Sequence, residues 1–179
     1  MPQDYSIYDA GTVVLQSGAS LRDCKLAYKT FGKLNANKDN VIVYPTWYSG
    51  QHKDNEWLIG KGMALDPAKY FIIIPDNIGH GASSKPSDGL HAKFPKYCYH
   101  DMIVAQYRLL NEKLGVNHLR LVTGTSMGGM HSWLWAEMYP DFMDAVMPLA
   151  SLPVEIAGRN RFFRRFVIDS IRNDPAWMN

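Results

Sequence analysis

The sequence is poor in the features that commit a chain to an oxidising compartment, a membrane or a nucleic acid. Its two cysteines, Cys24 and Cys98, lie far apart with no C-x-x-C spacing. That pattern offers neither a disulfide framework nor a thiolate metal site, so no metal is expected. Two reduced thiols fit a cytoplasmic protein. No apolar run approaches the about 20 residues that a membrane-spanning helix needs. The opening residues, MPQDYSIYDAG, carry no basic stretch followed by an apolar one, so no secretory leader is read there. The formal net charge is +2 over 179 residues, too little for a phosphate backbone or an anionic bilayer as partner. A basic, aromatic stretch, RNRFFRRF at 159–166, is read as the solvated face of a helix. Its functional alternative is contact with an anionic substrate or a cofactor phosphate. The expected partners are therefore small molecules, not nucleic acid or membrane.

What is present is material for a folded core. Hydrophobic residues make up 46 % and charged residues 20 %, which excludes disorder and suits one domain of ordinary size. Short apolar runs recur: 12–15 (TVVL), 25–31 (KLAYKTF), 41–44 (VIVY), 71–74 (FIII), 119–123 (LRLVT) and 145–149 (AVMPL). The first two are read as early strands joined by a turn at Gly18. The later runs, bounded by turn residues, read as strands buried on both faces of a parallel sheet. Between 101 and 114, Ile103, Tyr107, Leu110 and Leu114 fall on one face of a helix, with Asp101 as its N-cap and Gly115 as its C-cap. A second helix is expected over 127–139, closed by Pro140-Asp141. Strand, helix, strand in this order implies parallel pairing with right-handed crossovers.

Residues 124–128, Gly-Thr-Ser-Met-Gly, match G-x-S-x-G between a strand and a helix. That context makes Ser126 the expected nucleophile, presented on a tight turn whose glycines let strand and helix approach. An acyl-transfer serine needs preorganised N–H donors for the oxyanion. One is expected from Met127, the residue after the nucleophile. The other is expected from the loop after the third strand, Pro45-Thr46-Trp47-Tyr48-Ser49-Gly50, with Trp47 preferred and Thr46 the near alternative.

Three segments carry a family resemblance: LAYKTFGKLNANKDNVIVYPTWYSG, DPAKYFIIIPDNIGHGASSKPSD, and FPKYCYHDMIVAQYRLLNEKLGV followed by TSMGGMHSWLWAEMYPD. Together they resemble the homoserine O-acetyltransferase family of the α/β-hydrolase superfamily, from about residue 10 onward. The resemblance implies an α/β-hydrolase fold, a mostly parallel sheet with flanking helices. Residues 1–152 would be core and 153–179 the start of a helical lid, with strands seven and eight and most of the lid beyond this sequence. It also implies acyl-CoA as co-substrate, with no permanently bound cofactor. The acyl group would pass through Ser126 to the hydroxyl of a small amino acid such as L-homoserine, a step in methionine biosynthesis. A homodimer is expected of the full-length protein.

Three positions depart from the family pattern. The oxyanion segment reads YPTWYSG instead of a His-Ala-Leu-Thr-Gly-like run. His100 precedes Asp101 where arginine is common. Ile168 stands where a substrate-binding arginine is expected, with Arg164, Arg165 and Arg172 nearby. The alternatives are an esterase using water as acceptor and a non-catalytic remnant of the fold. A triad also needs an acid and a histidine later in the chain. His131 is expected to point away from Ser126, and His80 to lie at the sheet end where it could approach. Both triad partners are therefore expected beyond Asn179, and the 179-residue chain alone is expected to be nearly inactive.

Overall fold

The computed structural model describes residues 3–177. The first two and last two residues, where the N-terminal reading begins and the sequence stops, lie outside the described residues. Six strands form one sheet: β1 (Ser6–Val14), β2 (Ser20–Phe31), β3 (Val41–Val43), β4 (Phe71–Pro75), β5 (Leu121–Thr125) and β6 (Val146–Leu149), in the order β1-β2-β4-β3-β5-β6. β1 pairs antiparallel with β2, and β2 with β4; β4, β3, β5 and β6 run parallel.

The parallel centre follows from its side chains. Alternate residues point to opposite faces. Val41, Val43 and Ile73 join one apolar cluster with Ile103, Leu109, Leu110 and Trp135. Ile42, Tyr44, Ile72 and Ile74 join a second, closed by Leu65. Both faces are covered, which is why these strands read as unbroken apolar runs. Ile72, Ile73 and Ile74 are fully buried, each worth about 1.5–3 kcal/mol relative to exposure.

Among the described residues three α-helices accompany the sheet: α1 (Tyr99–Arg108), α2 (Met127–Met138) and α3 (Gly158–Arg172). α1 and α2 pack against the first face; α3 has no buried residue. The chain between α1 and β5 winds on as a π-helical turn over Leu109–Lys113 and leaves at Gly115, whose φ of +61° suits glycine.

Several expected boundaries shift. β1 and β2 are longer than 12–15 and 25–31, and β5 begins two residues later than 119. The turn at Gly18 forms as expected, its N–H donating to the Leu15 carbonyl. Asp101 is not the N-cap. Cys98 is, and Asp101 sits three residues into the capping box, accepting the Cys98 N–H at 2.9 Å through Oδ2 and the Gln16 N–H at 2.7 Å through Oδ1. A carboxylate at that place satisfies an orphan donor and also ties the helix start to the β1–β2 turn.

Candidate active site

β5 ends at Thr125 and α2 begins at Met127, so Ser126 alone makes the turn. It has φ 56° and ψ −114°, a backbone region that costs a non-glycine residue about 1–3 kcal/mol. The turn is held from both sides. The Ser126 N–H donates to the Leu149 carbonyl at 2.9 Å, and its carbonyl accepts the Met130 N–H at 3.0 Å. The glycines permit the approach. A Cβ on Gly124 would collide with the Gly128 backbone, one on Gly128 with the Pro45 carbonyl, and one on Gly129 with Ser151.

The Gly128 contact places loop 45–50 against the start of α2. Met127 is the first residue of that helix, where an N–H has no acceptor inside the helix. Thr46 is fully buried. Its carbonyl and its hydroxyl both lie 3.3 Å from Asn77 Nδ2, and His80 Nε2 lies 3.2 Å from the same hydroxyl. Trp47 folds its indole over Gly50, and its carbonyl accepts the Gly50 N–H at 3.1 Å. Among the described residues, neither the Met127 nor the Trp47 N–H has a protein acceptor. Both expected oxyanion donors are thus on elements that meet beside Ser126.

Ser126 opens into a cavity of about 800 Å³ shared with Tyr48 and with Arg159, Asn160, Phe163, Arg164, Val167 and Ile168 of α3. The Arg164 guanidinium lies 5.8 Å from the Tyr48 ring centroid, within cation–π range. Its Nε donates to Asn160 at 2.8 Å. Of the arginines near position 168, Arg164 lines the cavity with Ser126; Arg165 instead pairs with Asp169 at 2.9 Å. The basic stretch is therefore divided between a cavity wall and a solvated face.

His131, His80, His52 and His118 are held by partners other than Ser126. His131 is fully buried, with Nδ1 3.4 Å from Gln106 Nε2 and its ring edge-on to Tyr99. Burial, and secondarily the nearby His80, pushes its pKa down to about 3, so it is neutral. His80 is also held below its ordinary value by burial, opposed by the Asp76 carboxylate and a bond to the Gly50 backbone. His52 packs on Asp76, and His118 on Asp144. Among the described residues no histidine hydrogen-bonds Ser126, and no cluster of His, Cys, Asp and Glu could hold a metal. No helix among them is long and apolar enough to cross a membrane.

One part of the site was not anticipated. A buried chain of polar side chains runs from Trp135 on α2 through Gln106 on α1 to Asn77 and Thr46. Its only trace in the sequence is a glutamine on the otherwise apolar face of α1.

A model of the alpha/beta hydrolase fold family matches residues 44–176. The chain belongs to that family. It is 38 % identical over 178 residues to an ethyl acetate hydrolase of Pseudomonas veronii, covering 97 % of this chain and 51 % of that protein. It is 36 % identical over 183 residues to a homoserine O-acetyltransferase of Methanohalophilus mahii, covering 91 % of this chain and 38 % of that protein. The solved structure of an acetylester hydrolase from Corynebacterium glutamicum superposes with a TM-score of 0.90 at 36 % identity, over 97 % of this chain and 51 % of that one. The expected resemblance to homoserine O-acetyltransferases stands, and esterases join it. The chain spans about half the length, or less, of the curated relatives it matches.

Proposed function

We propose that Ser126 is the nucleophile of an acyl-transfer enzyme that passes a small acyl group through a serine ester. The observation that carries this reading is the strained Ser126 turn opening into the 800 Å³ cavity beside loop 45–50. Ser126 Oγ attacks the acyl carbonyl and loses its proton to a general base. The N–H groups of Met127 and Trp47 stabilise the tetrahedral oxyanion. The leaving alcohol or thiol takes the proton back, and an acceptor then releases the acyl group as the serine oxygen is reprotonated. The base is a histidine held by an acid, both following Ser126 in the usual chain order of this fold. His131 is fully buried beside Gln106 and is not placed to serve as that base.

Water is the acceptor favoured by the YPTWYSG segment, which departs from the acetyltransferase pattern, and by the likeness to two acetate-releasing hydrolases. Transfer from acyl-CoA to L-homoserine is the second reading, favoured by the likeness to the acetyltransferases and by Arg164 on the cavity wall, a cation suited to a carboxylate. In either case the substrates are small molecules, α3 begins a lid over Ser126 and no permanently bound cofactor is needed. Incubating the complete protein with 4-nitrophenyl acetate, and separately with acetyl-CoA with and without homoserine, tests both readings. Ester hydrolysis without homoserine-dependent release of coenzyme A supports the esterase. Release that requires homoserine supports the transferase. Absence of both reactions would contradict the proposal.

A further inference from the structure

Thr46, Asn77, Gln106 and Trp135 come from four separate elements, yet their polar atoms form one unbroken buried line. Trp135 Nε1 donates to Gln106 Oε1 at 2.9 Å, Gln106 Nε2 donates to Asn77 Oδ1 at 2.7 Å, and Asn77 Nδ2 donates to the Thr46 carbonyl at 3.3 Å. All four residues are at most 1 % exposed. The line has a fixed direction. An indole N–H can only donate, so Gln106 must turn its oxygen to Trp135 and its nitrogen to Asn77. Asn77 must then present oxygen to Gln106, which leaves its nitrogen for Thr46. The second Gln106 N–H faces His131 Nδ1 at 3.4 Å, which accepts in the tautomer that carries its proton on Nε2. Neither amide can flip without burying donor against donor.

The line ends on a peptide plane that matters. Among the described residues no peptide is cis. In a trans peptide the carbonyl of one residue and the N–H of the next point in opposite directions. Fixing the Thr46 carbonyl toward Asn77 therefore turns the Trp47 N–H away from Asn77, to the side where it has no protein acceptor. We infer that Asn77 is a positioning residue that sets the direction of the Trp47 N–H, with Gln106 on α1 locking its amide and Trp135 on α2 locking Gln106 in turn. The inference rests on the proposed acyl transfer through Ser126. The device ties the oxyanion loop to α2, so donor and nucleophile are held in one frame.

The test uses the complete natural protein and 4-nitrophenyl acetate, with the parent, Ser126→Ala, Asn77→Leu and Gln106→Met. Asn77→Leu removes the donor at nearly constant volume. It is expected to lower kcat about 100-fold, as loss of one oxyanion donor does, with KM changed by less than about threefold. Mass spectrometry after prolonged phosphonate treatment is expected to find Ser126 fully labelled, because the folded fraction is unchanged. Gln106→Met, which frees the Asn77 amide, is expected to lower kcat at least about tenfold at the same KM, and it decides the matter if Asn77→Leu does not fold. A kcat that stays at the parent value, or that falls only in proportion to the labelled fraction, overturns the inference. Hydrolysis surviving in Ser126→Ala removes the acyl-enzyme reading and this inference with it. Loss of hydrolysis in Ser126→Ala beside unchanged Asn77→Leu kinetics removes the inference alone.

Discussion

The floor and the roof of the Ser126 cavity are built on opposite terms. The floor consists of β3, β5, loop 45–50 and α2, where Thr46, Val122 and Trp135 are buried and the Trp135–Gln106–Asn77–Thr46 line is matched in a fixed direction. The roof is α3, where Phe162, Phe163, Phe166 and Val167 are 54–62 % exposed and no residue is buried. The floor is preorganised by its own packing, which is what a site for a developing oxyanion requires. The roof contributes a wall and a positive charge without contributing a core. On the proposed reading, reaction chemistry belongs to the floor and the choice of substrate to the roof.

The largest expected effects test the floor. Ser126→Ala in the complete protein is expected to lower ester hydrolysis by at least about 10⁴-fold, read as kcat/KM. Gly128→Ala drives a Cβ into the Pro45 carbonyl and is expected to cost more than about 4 kcal/mol, measured by urea unfolding. Trp135→Phe leaves the Gln106 carbonyl oxygen unpaired and is expected to cost about 1–3 kcal/mol.

His131 supplies a pH test of the same floor. Its pKa is depressed from 6.5 to about 3 by burial, so between these values the unfolded state binds the additional proton. Stability from this group is therefore complete above the unfolded pKa and is lost as pH falls from about 6.5 toward 3, with a slope of up to about 1.4 kcal/mol per unit. His131→Phe is expected to flatten the slope in that window, followed by thermal unfolding at several pH values. The smallest effect belongs to the roof. Phe163→Ser is expected to change the stability of the 179-residue chain by less than about 0.5 kcal/mol, while in the complete enzyme it raises KM. A roof substitution that unfolds the chain would break the contrast.

The same contrast explains what could be read from the sequence. VIVY and FIII announced the central strands because both their faces are covered. The tight Gly-Thr-Ser-Met-Gly turn announced Ser126 because its chemistry is local. β1 and β2 were read short because an antiparallel edge alternates polar and apolar residues, and because the register shifts at Gly11. Asp101 was read as an N-cap because a carboxylate three residues inside a helix start looks the same in sequence. The Asn77–Gln106–Trp135 line left no more than one glutamine as its trace, because amides become a relay only when three distant elements bury them together. Arg164 was one of three arginines until the cavity separated it from Arg165.

The central claim is that Ser126 carries the acyl group. The most direct measurement is mass-spectrometric mapping of the complete protein after reaction with a fluorophosphonate, with Ser126→Ala as control. The account predicts one adduct, on Ser126, with loss of ester hydrolysis in step with labelling and no adduct in the control. An unlabelled Ser126 in a protein that still hydrolyses the ester would contradict it.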